Sequence, residues 1–157
     1  TENYFYIFGG KDERSQDLIQ GITLAGVFFD EVALMPESFV NQATGRCSVE
    51  GSKYWFNCNP DGPYHWFKVN WIDKSISYLG KERVRKIREE AEKEGKAPGL
   101  KKVLYVHFTM DDNLSLSEKI KERYRSDYNG VFFKRYILGL WAMAEGIIYD
   151  MFPKRNM

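Results

Sequence analysis

One stretch of the chain, Gly26-Val27-Phe28-Phe29-Asp30-Glu31, constrains the fold more than any other. Its three consecutive apolar residues predict a strand buried on both faces, as the central strands of parallel sheets are. Two adjacent carboxylates follow at the point where this strand leaves the sheet. The sequence therefore predicts a parallel α/β sheet with two acids at the carboxyl end of one strand.

The two acids, Asp30 and Glu31, have one catalytic and one structural interpretation. In nucleoside-triphosphate hydrolases, the first carboxylate of such a pair helps to hold Mg2+ near the phosphates, and the second orients and deprotonates the attacking water. This is the Walker B arrangement, with Asp30 as the Mg2+ partner and Glu31 as the base. In the structural interpretation, both acids open the following helix, where negative charge complements the helix dipole.

A second informative stretch is Lys53-Tyr54-Trp55-Phe56 with the Asn57-Cys58-Asn59-Pro60 that follows it. The apolar run predicts another strand, which Pro60 ends because proline cannot continue the ladder. The interval between the two strands leaves room for a helix and a crossover, so the pair predicts one βαβ unit. Asn57 and Asn59 are then placed to sense the terminal phosphate or the attacking water. The alternative is an Asn-Pro turn in which both asparagines bond to their own backbone.

Composition excludes several classes of protein. The chain has 157 residues, 43% of them hydrophobic, so it has enough apolar side chains for a core. Its 23 basic and 22 acidic residues exclude a strongly basic nucleic-acid surface over the whole chain. Cys47 and Cys58 show no metal-ligand spacing, which favours a reduced, cytoplasmic protein. No run approaches the roughly 20 apolar residues of a membrane span, and the N-terminus lacks a signal-peptide pattern.

The remaining segments predict further strands, helices and one basic surface. We expect strands at residues 4–8, 103–108 and 145–149, and helices over residues 36–44, 81–96 and 131–138 and after Ser115. The helix over residues 81–96 is charge-dense and is expected to be exposed. Its basic residues either contact DNA phosphates or form an ordinary solvated face. They are Lys81, Arg83, Arg85, Lys86 and Arg88.

The order of these motifs resembles the large terminase subunit of tailed phages and prophages, in its PBSX-like branch. The resemblance covers most of the chain, from about Tyr6 to Phe152. It is carried by residues 27–31, 57–66, 107–113 and 135–141, the last followed by Glu145-Gly146.

The resemblance implies roles for individual residues. Asp30 matches the Walker B Mg2+ position and Glu31 the catalytic base, while Asn57, Asn59 and Pro60 match the motif that couples hydrolysis to movement. The complete protein would use ATP and Mg2+, with double-stranded DNA, a small terminase subunit and a portal protein as partners in an oligomeric motor. It would act in the cytoplasm of a bacterial host, without a membrane, and carry a nuclease domain downstream.

The chain lacks the Gly-x-x-x-x-Gly-Lys-Ser/Thr loop that holds nucleotide phosphates, so we expect an internal fragment that is not an active ATPase alone. The expected fold is α/β, the C-terminal half of a P-loop (ASCE-type) ATPase sheet followed by a mainly helical linker subdomain. Residues 1–79 would form the second half of the ATPase domain, 80–101 a charged exposed helix, 102–146 the end of that domain with the linker subdomain, and 147–157 the start of a nuclease domain.

Two other functions remain open on the sequence alone. One is a non-catalytic DNA-binding or subunit-interaction module, which salt-dependent DNA binding without nucleotide binding would favour. The other is a different nucleic-acid-dependent ATPase such as a helicase. The Asn59-Pro60 motif and the segment from Trp141 to Tyr149 argue against a helicase. A sheet with an uncovered strand edge also predicts self-association.

Overall fold

The computed structural model describes residues 2–144 and divides them into two compact units. The first unit comprises residues up to 59 together with 65–105, and the second comprises residues 60–64 with those from 106 onward. The fold is mixed α/β with a small parallel sheet, while the predicted domain boundaries at residues 79, 101 and 146 stay predictions. The strands and helices are β1 (Gly26–Phe29), α1 (Glu37–Arg46), β2 (Lys53–Phe56), α2 (Ile76–Lys93), α3 (Glu118–Asp127) and α4 (Gly130–Phe132).

The predicted βαβ arrangement is present in the first unit. β1 and β2 pair in parallel, and α1 lies between them in the chain. The backbone of Gly26 comes so close to β2 that a β-carbon there would lie 2.9 Å from the Lys53 carbonyl oxygen. α1 begins after Pro36, whose fixed φ suits the start of a helix, and it ends at Arg46, two residues later than expected.

Phe29 is the centre of the core beneath this sheet. Its side chain is 2% exposed, and its ring stacks on Phe56 with the two centroids 5.1 Å apart. On its other side it meets the edge of the Phe39 ring of α1 at 6.5 Å. Burying a side chain of this kind contributes about 1.5–3 kcal/mol to folding. The other buried apolar side chains of the first unit are Ile19, Val32, Val40, Ala43, Cys47, Phe67, Trp71, Ile72 and Val84.

The opposite face of the strand pair is uncovered within the described residues. Phe28 and Trp55 are partners in the β1–β2 register, and they are 60% and 53% exposed. Because side chains alternate between the two faces of a strand, these two lie on the face opposite Phe29. The prediction that β1 is buried on both faces is therefore wrong within residues 2–144, since α1 covers one face and no second layer packs on the other.

Two predicted strands are absent from the described structure. Residues 4–8 have an irregular backbone, with Phe5 and Ile7 93% and 97% exposed, because an apolar run cannot form a strand without a neighbour to pair with. Residues 103–108 are irregular as well. Backbone groups of this segment bond to serine hydroxyl groups at the start of α2 rather than to a neighbouring strand. Ser75 Oγ donates to the Val103 carbonyl at 2.7 Å, and the Tyr105 N–H donates to Ser77 Oγ at 2.6 Å.

The charged helix predicted over residues 81–96 is confirmed as α2, and it starts earlier than expected. Ser75 caps it by accepting a hydrogen bond from the Tyr78 N–H. Gly80 interrupts the helix with a φ of 74°, a left-handed conformation that glycine adopts without steric cost. Val84 is the buried residue of α2, so the helix is exposed along most of its surface.

The regular structure of the second unit consists of short helices, joined by irregular segments. α3 confirms the helix predicted after Ser115. The single helix predicted over residues 131–138 is instead α4 followed by a π-helical turn, Phe133–Ile137. The strand predicted at residues 145–149 lies outside the described residues. Within residues 2–144, no helix combines the length and the apolar character that crossing a membrane requires.

Candidate functional site

Asp30 and Glu31 follow β1 directly, and Asn57 follows β2 directly. Because the two strands are parallel, their carboxyl ends lie at the same edge of the sheet, where α/β proteins commonly bind ligands. The ladder continues past both strands, since the Asn57 N–H donates to the Phe29 carbonyl at 3.0 Å and the Val32 N–H donates to the Asn57 carbonyl at 2.9 Å. The structure thus brings the acid pair and Asn57 together.

Glu31 has an unusual backbone conformation. Its φ of 53° and ψ of 49° are left-handed, and among the described residues no other non-glycine residue has a positive φ. This conformation costs a residue with a β-carbon about 1–2 kcal/mol. It is held by Asn57, whose side-chain Oδ1 accepts a hydrogen bond from the Glu31 N–H at 2.7 Å. We call this contact the Glu31–Asn57 clamp.

The structural interpretation of the two acids finds little support. Glu31 precedes only a three-residue 3-10 turn, Val32–Leu34, and its side chain makes no capping hydrogen bond there. The regular helix α1 begins later, after Pro36. Both Asp30 and Glu31 are exposed, so their carboxylates are open to a ligand. The Glu31 side chain therefore does not cap this turn by a hydrogen bond.

The acid pair fits one mode of Mg2+ binding. Within the described part of the chain, no group of three or more His, Cys, Asp or Glu side chains is gathered closely enough to hold a metal by itself. Mg2+ in nucleotide enzymes is held by one or two carboxylates together with substrate phosphates and water, so a complete protein cage is not required. Asp30, supported by Glu31, offers the oxygen ligands that this mode needs.

Cys58 lies between the two asparagines in the chain, and its side chain is half-buried. Burial raises the pKa of its thiol to about 11, against the smaller lowering effect of a hydrogen bond with the Ala33 backbone. The neutral thiol is the unreactive form, because the thiolate is the nucleophile. Asn59 is exposed, and within residues 2–144 no hydrogen bond joins its side chain to Glu31. The structure therefore ties Asn57, but not Asn59, to the acid pair.

The basic residues considered for DNA contact, Lys81, Arg83, Arg85, Lys86 and Arg88, all lie on α2. All five are exposed. Arg85 pairs with Glu89 at 3.9 Å and Lys86 with Glu82 at 3.2 Å, each across one helical turn. Exposed pairs of this kind are worth about 0.3–0.5 kcal/mol, so they do not prevent the same side chains from meeting phosphates.

Two features of the structure were not predicted from the sequence. Asn57 was expected to sense phosphate or water, and its contact with the Glu31 backbone was not foreseen. Arg135 was given no role, although it forms an ion pair with Asp61. No periodicity or spacing signals either contact, because each joins residues that are distant in the chain and depends on where two elements end.

A family profile and solved structures both match this chain to large terminase subunits. A family profile described as terminase large subunit, T4likevirus-type, N-terminal, matches residues 3–153. The large terminase from a thermophilic bacteriophage, in crystal form 2, is 64% identical with a TM-score of 0.71, and the match covers 97% of this chain and 32% of that one. No curated protein sequence matches the chain.

Two further structures of the same bacteriophage large terminase were solved with nucleotides. The complex with ADP is 64% identical with a TM-score of 0.70, and the match covers 96% of this chain and 31% of that one. The complex with ATP-gamma-S is 63% identical with a TM-score of 0.63, covering 86% and 28%. The chain thus spans about a third of the length of the solved proteins it matches.

The strain at Glu31 predicts that Glu31→Gly stabilises the chain. Glycine adopts the left-handed conformation freely, and it keeps the N–H that donates to Asn57. We expect the free energy of unfolding to rise by up to about 1 kcal/mol, since the relief of strain exceeds the extra flexibility of glycine in the unfolded chain. Urea denaturation followed by circular dichroism measures this change.

Glu31→Gln is the matched control, because it keeps the β-carbon and should leave stability within about 0.5 kcal/mol. Asn57→Ala removes the acceptor and should lower stability by about 1 kcal/mol. A Glu31→Gly variant that is less stable than Glu31→Gln would contradict the strained conformation.

The raised pKa of Cys58 predicts slow alkylation in the folded chain. At pH 8 the thiolate population should be about 100-fold below that of an ordinary cysteine, because each pKa unit is a factor of ten. The rate of iodoacetamide labelling at Cys58, followed by mass spectrometry, should keep rising to about pH 11. The same chain unfolded in urea supplies the reference rate, and equal rates in both states would show that the thiol is not buried.

Proposed function

Because this chain belongs to the family of terminase large subunits, in its T4likevirus-type N-terminal part, we propose that it supplies the carboxylate half of the ATPase site of a viral DNA-packaging motor. The observation that carries this proposal is the Glu31–Asn57 clamp, with 2.7 Å between the Glu31 nitrogen and Asn57 Oδ1. It fastens the ends of two neighbouring parallel strands beside two exposed carboxylates. The solved relatives that hold ADP and ATP-gamma-S support a nucleotide as the ligand.

In the proposed mechanism, each acid has one task. Asp30 helps to hold Mg2+, which when bound neutralises charge on the phosphate oxygens. Glu31 orients the attacking water and accepts its proton at a carboxylate oxygen. Asn57 fixes the backbone from which the Glu31 side chain projects, so the base starts from one defined position. The groups that bind the phosphates themselves come from elsewhere in the large subunit, since these 157 residues contain no phosphate-binding loop.

The proposal extends to the rest of the packaging machine. We assign the β1–β2 pair to the C-terminal half of an ASCE-type ATPase sheet and the short helices of the second unit to a linker subdomain. In the complete motor, the partners are double-stranded DNA, a small terminase subunit and a portal protein, in the cytoplasm of a bacterial host. The downstream nuclease domain and the PBSX-like branch remain predictions from the resemblance, as do the roles of Asn59 and Pro60 in coupling.

α2 is the proposed DNA-contacting surface of this part of the subunit. Four of its basic residues, Arg83, Arg85, Lys86 and Arg88, are exposed along a helix that buries little of its own surface. Phosphate contacts of this kind are independent of base sequence, which suits a motor that must move any DNA. A non-catalytic DNA-binding module would share this surface. A measurement of nucleotide hydrolysis therefore distinguishes such a module from a packaging ATPase.

Glu31→Gln should abolish ATP hydrolysis by the large subunit that carries these residues. Loss of a general base lowers turnover by about 100- to 10,000-fold, while nucleotide binding is retained because Asp30 is unchanged. Steady-state phosphate release measures turnover, and a fluorescent ATP analogue measures binding. The 157-residue chain by itself should show no turnover.

The control for this prediction is Glu50→Gln, which removes an exposed glutamate outside the site and should leave turnover unchanged. Hydrolysis that survives Glu31→Gln would contradict the assigned base. Salt-dependent DNA binding by a large subunit that hydrolyses no ATP would favour the non-catalytic module, and strand separation by an active subunit would favour a helicase.

Replacing Arg83, Arg85, Lys86 and Arg88 by glutamine should make DNA binding less sensitive to salt. Each lost phosphate contact reduces the slope of log K against log salt concentration by about 0.9. Fluorescence anisotropy with duplex DNA of two unrelated sequences should show the same loss for both. The control replaces Lys119 and Arg123, basic residues of α3, by glutamine; an unchanged slope for the α2 variant would refute the assigned surface.

A further inference from the structure

The second unit includes a short segment, residues 60–64, that follows Asn59 directly in the chain. In this segment Asp61 Oδ1 pairs with Arg135 Nη1 at 2.5 Å. Arg135 also donates from Nε and Nη2 to the Ala142 carbonyl, at 3.1 and 2.8 Å. The Ala142 N–H in turn donates to the Asp61 carbonyl at 3.0 Å. These three residues form a closed set of contacts, which we call the Asp61 clasp.

The clasp is unlike an ordinary surface ion pair. The Arg135 side chain is 18% exposed and uses all three of its nitrogen atoms, and Asp61 is 47% exposed; in the Arg125–Asp111 pair of the same unit the two side chains are 37% and 63% exposed. Exposed pairs are screened by water and contribute little. A guanidinium group is held in one geometry when it is mostly buried and all three of its nitrogen atoms make hydrogen bonds or ion pairs. Arg135 therefore fixes Asp61 against Ala142.

Only Cys58, Asn59 and Pro60 separate the clasp from the Glu31–Asn57 clamp along the chain. Two properties restrict the conformations that this connector can adopt. The proline ring restricts its φ, and the Cys58 side chain is half-buried. Both ends of this three-residue connector are therefore held by side-chain hydrogen bonds.

We propose that the Asp61 clasp passes a change at the Glu31–Asn57 clamp to the second unit, with Arg135 as the positioning residue. The inference rests on the proposed ATPase function and names the residue through which hydrolysis is coupled to movement. A displacement of Asn57 during turnover reaches Asp61 through the connector and Ala142 through Arg135. Without the clasp, the site hydrolyses ATP but the DNA is no longer driven efficiently.

The test compares hydrolysis with DNA movement in the large subunit that carries these residues. In Arg135→Gln, ATP turnover and its KM should stay within about twofold, while the length of DNA translocated per ATP falls by about tenfold, a typical coupling between sites. Asp61→Asn should have the same effect, and the double variant should be no worse than either single one, because both act through one clasp. Asp61→Asn keeps the shape of the side chain and the backbone hydrogen bond from Ala142. It therefore provides the test if Arg135→Gln fails to fold.

Arg125→Gln is the matched control, since it removes another ion-paired arginine of the same unit and should leave DNA translocated per ATP unchanged. The inference is overturned if hydrolysis and translocation fall in proportion, if neither falls, or if the control variant behaves like Arg135→Gln. An unaltered large subunit that hydrolyses no ATP would instead overturn the proposed function, so the two failures are distinguishable.

Discussion

The hydrogen bond from the Glu31 N–H to Asn57 Oδ1 is the interaction on which the site depends. A glutamate in the left-handed conformation is unfavourable by itself, and this bond offsets part of that cost. The bond forms only if β1 and β2 end at matching positions. The stacked rings of Phe29 and Phe56 favour that register, because a slip of β2 by one residue would move Phe56 to the opposite face and away from Phe29. The geometry of the site therefore depends on the packing of the aromatic core.

The strained residue Glu31 lies at the proposed ATPase site. The left-handed turn at Glu31 leaves two adjacent carboxylates exposed at the end of a strand, close to a polar side chain from the neighbouring strand. Strained backbone of this kind persists where surrounding contacts determine it, and such positions are concentrated at functional sites. In this chain the determining contacts come from both strands, so neither motif alone would create the site.

The sequence predicted β1, β2, α1, α2 and α3, because apolar runs and helical periodicity are local signals, but not the division of residues 131–138 into α4 and a π-helical turn. It failed at residues 4–8 and 103–108, where an apolar run lacks the neighbour that would make it a strand. It also missed the exposure of Phe28 and Trp55, since the number of layers covering a sheet is not encoded in the strand itself. The contacts of Asn57 with Glu31 and of Arg135 with Asp61 were unpredictable for a different reason: each joins distant residues through single side-chain atoms.

The measurement that tests the central claim most directly is calorimetric titration of Mg-ATP into this chain and into the complete large subunit. If the chain supplies only the carboxylate half of a nucleotide site, the complete subunit binds Mg-ATP and the chain alone does not. An Asp30→Asn variant of the complete subunit should then lose the Mg2+ dependence of binding. Tight binding by the chain alone, or no binding by the complete subunit, would contradict the assignment of Asp30 and Glu31 to half of an ATPase site.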